Sequence, residues 1–238
     1  MQGIAYFLLF ITIIISGSTV FAFRKINPGF LKLLLSFSGA YLFALTVLHL
    51  IPEVYQSGDK SIGVFIFIGF FIQIILEFFS QGIEHGHIHI HKNQNAAFPY
   101  GVMIGLCLHS FLEGIPLVQT FSDSGTQNSL LAGIILHHIP VAIALMTMFL
   151  QSGLTKSRAI FYLVLFAMMA PAGAFSGNYF AALGLQDIPL VFDRIMAVVI
   201  GIFLHISTTI LFESNEGHRF NYLKLLIIIL GAGLAMLS

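Results

Sequence analysis

Apolar runs of about 18 residues or more recur along the whole chain, separated by short polar stretches. Each is long enough to cross a bilayer as a helix, where a helix satisfies its own backbone polar groups. That leaves little freedom: a chain of this kind is a membrane bundle of helices. The composition agrees, since 58% of residues are hydrophobic and only 8% are Asp, Glu, Lys or Arg. The formal net charge of zero gives no bulk attraction to nucleic acid. The single Cys107 lies inside an apolar run, which excludes a disulfide framework and a cysteine-based zinc site. Without Trp, the interfacial belts fall to Tyr and Phe. No basic segment precedes the first run, so a cleaved signal peptide is not expected.

Eight transmembrane helices are predicted, at 3–23, 33–51, 62–80, 100–119, 129–150, 159–181, 188–212 and 222–237. The fold class expected is all-α, a polytopic integral membrane protein. It forms one domain over 1–238, with a short His-rich loop at 81–98. Pro28-Gly29 reads as a turn before the second helix, and Pro171-Ala172-Gly173 as a break in the sixth. The basic residues set the orientation. Arg24, Lys25, Lys32, Lys92, Lys156, Arg158, Arg219 and Lys224 fall on one side of an eight-helix plan, and only Lys60 and Arg194 on the other. The positive-inside rule makes the first side cytoplasmic, with both termini outside.

The fourth run contains His109-Ser110-Phe111-Leu112-Glu113-Gly114. A spacing of four puts His109 and Glu113 on one helix face, and a carboxylate at this depth marks a functional group by default. The fifth run contains His137-His138-Ile139-Pro140. His109 and His137 each lie roughly nine residues into their helices, so both fall near mid-membrane. Pro116 and Pro140 disrupt the bonds to the carbonyls of Leu112 and Leu136, each beside one of these polar residues. Any one of the histidines alone would serve equally well as a polar link between helices. Together, His109, Glu113, His137 and His138 make a ligand set for a divalent transition metal such as zinc.

These two helices resemble the ZIP (Zrt/Irt-like) family of divalent metal transporters. The family's fourth helix carries His, a polar residue, two variable residues, then an acid and Gly. The fifth carries His or Gln, then an acid or Asn, Ile, Pro, then Glu or His. Here the fourth helix has His109 to Gly114, and the fifth has His137, His138, Ile139, Pro140 and Val141. His49 to Glu53, the Pro-x-Gly of the sixth helix, the eight-helix plan and the His-rich loop extend the resemblance over nearly the whole chain. It implies a metal held by His109, Glu113 and His137, with His138 as a fourth or second-site ligand. It also implies an elevator-like movement of a helix 4/5 unit, often in a dimer. The expected function is import of zinc into the cytoplasm, with iron(II), manganese or cadmium as lesser candidates and no organic cofactor. The partners expected are the metal ion and the lipid bilayer. The short length and minimal loops point to a bacterial cytoplasmic membrane.

Secondary metal capture is assigned to His49 and Glu53 at the outer end of the second helix, and to His205 in the seventh. It is also assigned to the exposed tract Glu84, His85, His87, His89 and His91. A rival reading is an intramembrane metal-dependent hydrolase, with Glu113 or another acid as base; a further one is a transport-dead metal sensor. The chain lacks His-Glu-x-x-His and a P-loop, which disfavours a metalloprotease and an ATP-driven pump. An enzyme is therefore not expected.

Many members of that family bind two metals, bridged partly by an acid where this chain has Val141. Val141 cannot ligate, and the sixth helix carries no acid. One metal ion per protomer is the expected stoichiometry. Anomalous scattering that revealed a second metal at full occupancy between helices 4, 5 and 6 would refute it.

Overall fold

The computed structural model describes residues 2–23, 27–85, 100–119, 121–122, 124–183, 188–213 and 222–237. It is helical, with no strand among the described residues. Among the described residues seven helices are long and apolar enough to cross a membrane: α1 (Gly3–Phe21), α2 (Pro28–Tyr55), α3 (Ile62–Ser80), α4 (Tyr100–Val118), α5 (Ser124–Gln151), α6 (Lys156–Ala182) and α7 (Ile188–Phe212). An eighth, α8 (Tyr222–Met236), is apolar but shorter. The chain is thus an all-α polytopic membrane protein. The loop histidines His87, His89 and His91 lie outside the described residues, as do Arg24, Lys25 and Arg219.

Several helix boundaries differ from the sequence expectation. Pro28 does not make a turn ahead of α2. It occupies the first helical position, where its missing N–H costs nothing, and the Asn27 side chain caps the helix by accepting from Gly29 N–H at 2.8 Å. Lys32 therefore stands inside the helix. At its other end α2 runs on beyond residue 51, passing through a π-turn at Thr46–Leu50 into Ile51–Tyr55. Pro52 sits in the first turn of that last piece and lacks the N–H that an α-helix would bond to Leu48, a residue of the π-turn. In α6 the interruption falls at Met168 rather than at Pro171. A proline ring clashes with the carbonyl four residues back, here that of Ala167, so the break appears a turn ahead of the proline. The fifth helix starts at Ser124, not 129, and runs unbroken through Pro140 to Gln151.

The helices pack in two groups. α3 lies along α7, and α2 along α7 and α8; α1 lies along α5 and α6, and α4 along α6. The groups meet where α2 packs on α5 and α3 on α4. Two crossings bring backbones together through glycine. A Cβ on Gly69 of α3 would strike the carbonyl of Val198, and one on Gly201 of α7 that of Ile66. Gly114 of α4 and Gly173 of α6 do the same against Ala170 and Phe111. Such small-residue contacts are the usual means of holding helices together where lipid removes the hydrophobic drive.

The buried apolar side chains form two clusters rather than one. One gathers Leu35 of α2, Leu106 of α4, Met146 of α5, Phe166 of α6 and Ile206 of α7. The other gathers Leu42, Leu117, Ile134, Ala174 and Phe203 from the same five helices. On α4 and α5 the polar residues 109–113 and 137–138 fall between the two clusters. Beyond the second cluster, Arg194 of α7 binds Asp59 in the α2–α3 connection at 2.9 Å. The Ser61 backbone N–H and hydroxyl, together with Arg194, bring the Asp59 carboxyl down to about 2.

Gly69→Ala and Gly201→Ala should each lower stability by about 1–3 kcal/mol through overpacking of the α3–α7 seam. Gly233→Ala on α8, where a Cβ meets nothing within 4 Å, should not lower the thermal midpoint in detergent and should raise it slightly through helix propensity.

Candidate metal centre

His109 and Glu113 project from α4 one turn apart, and His137 projects from α5. One ligand atom from each of the three lies within 4.8 Å of the others. All three are buried, Glu113 and His137 completely. His109 Nε2 stands 3.0 Å from Glu113 Oε1, and His138 Nε2 stands 3.6 Å from Glu113 Oε2. His138 is also buried but lies at the edge of the group, outside the three-residue cluster.

The hydrogen bonds around the cluster decide which way the lone pairs point. His138 Nδ1–H donates to the Ile134 carbonyl at 2.8 Å, which leaves Nε2 as an acceptor; it takes the Ser110 hydroxyl at 3.1 Å. On α4, His109 Nδ1–H donates to Gln73 Oε1 of α3 at 3.2 Å. Gln73 is oriented in turn, because its amide N–H donates to Glu84 Oε2 at 3.4 Å, and Ser80 Oγ–H donates to the same oxygen at 3.0 Å. The sequence Ser80, Glu84, Gln73, His109 is therefore a relay that presents the bare Nε2 of His109 to the cluster. A metal-binding imidazole is commonly held in this way, its other nitrogen donating to an amide or carboxylate.

At the centre the atoms that face one another are acceptors. His109 Nε2 and both carboxylate oxygens of Glu113 have no hydrogen-bond partner among the described residues. Buried acceptors without donors are costly, and a cation placed among them would relieve that cost. Imidazole nitrogens with one carboxylate match the preferences of zinc, with iron(II) and manganese less well served. Val141 is buried in the apolar cluster and offers no ligand atom.

The other residues singled out in the sequence lie elsewhere. Glu84 was expected in an exposed His-rich tract; it is completely buried and belongs to the relay behind His109. Of His85 only the backbone is described, in the short helix Ile83–His85. His49 Nε2–H donates to the Ala235 carbonyl at 3.1 Å, so it caps the last turn of α8. Glu53 Oε1 accepts the backbone N–H of Ser122 at 2.6 Å, tying the end of α2 to the α4–α5 connection. His205 pairs with Glu77 across the α3–α7 seam and stacks edge-on with Phe70. Gln73 and Ser80 were not assigned to the site from sequence. Part of the signal was available: Gln73, Glu77 and Ser80 recur at three- or four-residue steps through the otherwise apolar α3, whereas Glu84 lies beyond the helix end and is brought back by the turn at Gln81 and Gly82.

The Gln73 bond should be worth about tenfold in metal affinity. Gln73→Leu is expected to weaken zinc binding by that factor in a competition titration with a chelating dye. His49→Ala, at the end of α8, should leave it unchanged.

The family model described as ZIP Zinc transporter matches residues 84–238, which is most of the chain and includes α4 to α8. The curated protein Zinc transporter ZIP9 of Xenopus tropicalis is 27% identical over 112 residues, covering 46% of this chain and 37% of its own length. Zinc transporter ZIP9 of Micropogonias undulatus is 26% identical over 118 residues, covering 46% and 36%. The matched stretch thus spans little more than a third of those relatives.

Proposed function

Since the chain belongs to the ZIP zinc transporter family, we propose that it carries a divalent transition metal, zinc foremost, through the membrane by way of His109, Glu113 and His137. The observation that carries this reading is the convergence of these three side chains, buried between two apolar clusters with ligand atoms within 4.8 Å. The relatives named zinc transporters support the choice of metal.

The chemistry follows from the residues. A hydrated ion sheds water as it meets Glu113, whose charge offsets part of the desolvation cost. The neutral imidazoles of His109 and His137 then complete the coordination, and His138 joins when the Ser110 hydroxyl turns away from its Nε2. Among the described residues the cluster contains one carboxylate, and the carrier uses it as a ligand. With Glu113 serving as a ligand, no other acid in the cluster is left to act as a hydrolase's base, which favours transport. Transfer runs from the outside, where α2 ends and α3 begins, to the cytoplasmic side, where the basic residues concentrate. The site lies near the middle of the bilayer. Passage from the outside requires opening of the ties that hold that end together, Glu53 to Ser122 and Gln119 to Asp193.

Purified protein in liposomes containing a zinc-sensitive dye should take up zinc, and His109→Ala and Glu113→Ala should each abolish uptake. Binding needs neutral imidazoles and an ionised carboxylate, so zinc affinity should fall as the pH is lowered. Zinc that binds tightly to wild type but never crosses would point to a sensor and sink the carrier reading.

A further inference from the structure

Behind the metal centre the structure encloses a second carboxylate, which the proposed zinc pathway does not use as a ligand. α3 ends at Ser80, and Gln81 and Gly82 follow with φ of 55° and 71°. Two left-handed residues in succession reverse the chain, so the short helix Ile83–His85 folds back on the end of α3 and packs against α5 and α7. Glu84 is thereby carried inward, and Glu84, Gln73 and Ser80 are all completely buried. Glu84 Oε2 accepts from the Ser80 hydroxyl and the Gln73 amide. Glu84 Oε1 has no hydrogen-bond partner among the described residues, and no lysine or arginine among them pairs with the carboxylate. The group also lies against the C-terminal end of α3, where the helix dipole is negative. Burial, the dipole and the missing partner each act against a bare negative charge at this place.

We propose that Glu84, with Ser80 and Gln73, holds a monovalent cation, sodium foremost, at a site separate from the metal centre. The charge sets the valence: one positive charge neutralises one carboxylate, and a divalent ion would leave a buried excess. The donors set the kind of ion. Glu84 offers a carboxylate oxygen, Ser80 a hydroxyl, and Gln73 an amide oxygen with a lone pair beyond the one that takes the His109 N–H. Oxygen ligands without imidazole or thiolate suit a hard ion and give zinc no advantage. Complete enclosure favours the smaller of the common monovalent ions, sodium over potassium. The negative end of a helix is itself a favourable place for such an ion in a membrane protein. A water molecule would satisfy the lone pairs of Oε1 and leave the charge. A proton on Oε1 would be a buried donor with no acceptor in reach. A proton on Oε2 would turn the Ser80 hydrogen toward the Glu77 carbonyl, 3.3 Å away against 3.0 Å to the carboxylate. The proposal is independent of zinc passage by way of Glu113.

Binding of radioactive sodium to the purified full chain in detergent tests it, in zinc-free buffer with choline as the balancing cation. Wild type should bind one sodium ion per chain, and sodium should raise the thermal midpoint by about 3 °C over choline at equal ionic strength. Potassium should compete more weakly than sodium. Glu84→Gln, which keeps the shape and removes the charge, should lose both responses, and Ser80→Ala should weaken sodium binding about tenfold. Glu113→Gln should retain sodium binding, which separates this site from the metal centre and keeps the result apart from that of the zinc-uptake test. If Glu84→Gln does not fold, weakened binding in Ser80→Ala with retention in Glu113→Gln supports the site. No sodium binding by wild type, full binding by Glu84→Gln or Ser80→Ala, or loss in Glu113→Gln overturns it. Tighter binding of potassium overturns the choice of ion. Zinc that displaces sodium from Glu113→Gln also overturns it, and would make Glu84 a station for the carried metal.

Discussion

Everything near the centre of this molecule answers to one buried carboxylate. Glu113 is completely enclosed by protein, between two clusters of aliphatic and aromatic side chains. A negative charge in such surroundings is strongly disfavoured unless something positive stands against it. The fold places imidazoles beside it from two helices and seals the space behind it. The seal is made by glycine: Gly114 and Gly173 let α4 and α6 approach until a methyl group on either would strike the other's backbone.

The second consequence concerns orientation. An imidazole near a carboxylate has two nitrogens, and only the one without hydrogen can bind a metal. Here the choice is made outside the cluster. Glu84 orients Gln73, and Gln73 orients His109; on α5, a helix carbonyl orients His138. The relay runs through α3, which belongs to the other helix group. A displacement of α4 and α5 against α3 and α7 therefore breaks the bond to Gln73, and with it the constraint on His109. The same displacement parts Glu53 from Ser122 and Gln119 from Asp193 at the far end. The orientation of His109 and the position of the helices are linked by these few bonds.

Much of this was legible in the sequence, and some of it was not. The length and recurrence of the apolar runs fix the number and type of the helices, because lipid permits a single backbone the choice of helix and little else. The His109–Glu113 spacing sets both side chains on one face of α4 without reference to the rest of the chain. Helix ends were less legible. Pro28 can open a helix or make a turn, and the Asn27 cap decides it; Pro171 acts on a carbonyl a turn away, so the break is displaced from the residue that causes it.

What can be read from the chain alone is local: eight apolar helices, the place of the polar residues along them and the charge bias between their ends. Those depend on residues within a turn or two of each other. The tertiary structure alone decided which polar residues meet. It set Glu84 behind His109 instead of in an open loop, turned His49 to the end of α8, and paired His205 with Glu77. Helical periodicity specifies a face but not the neighbour that the face will meet. That neighbour is chosen by close packing, through backbone crossings such as Gly69 with Gly201, whose partners lie far apart in the chain.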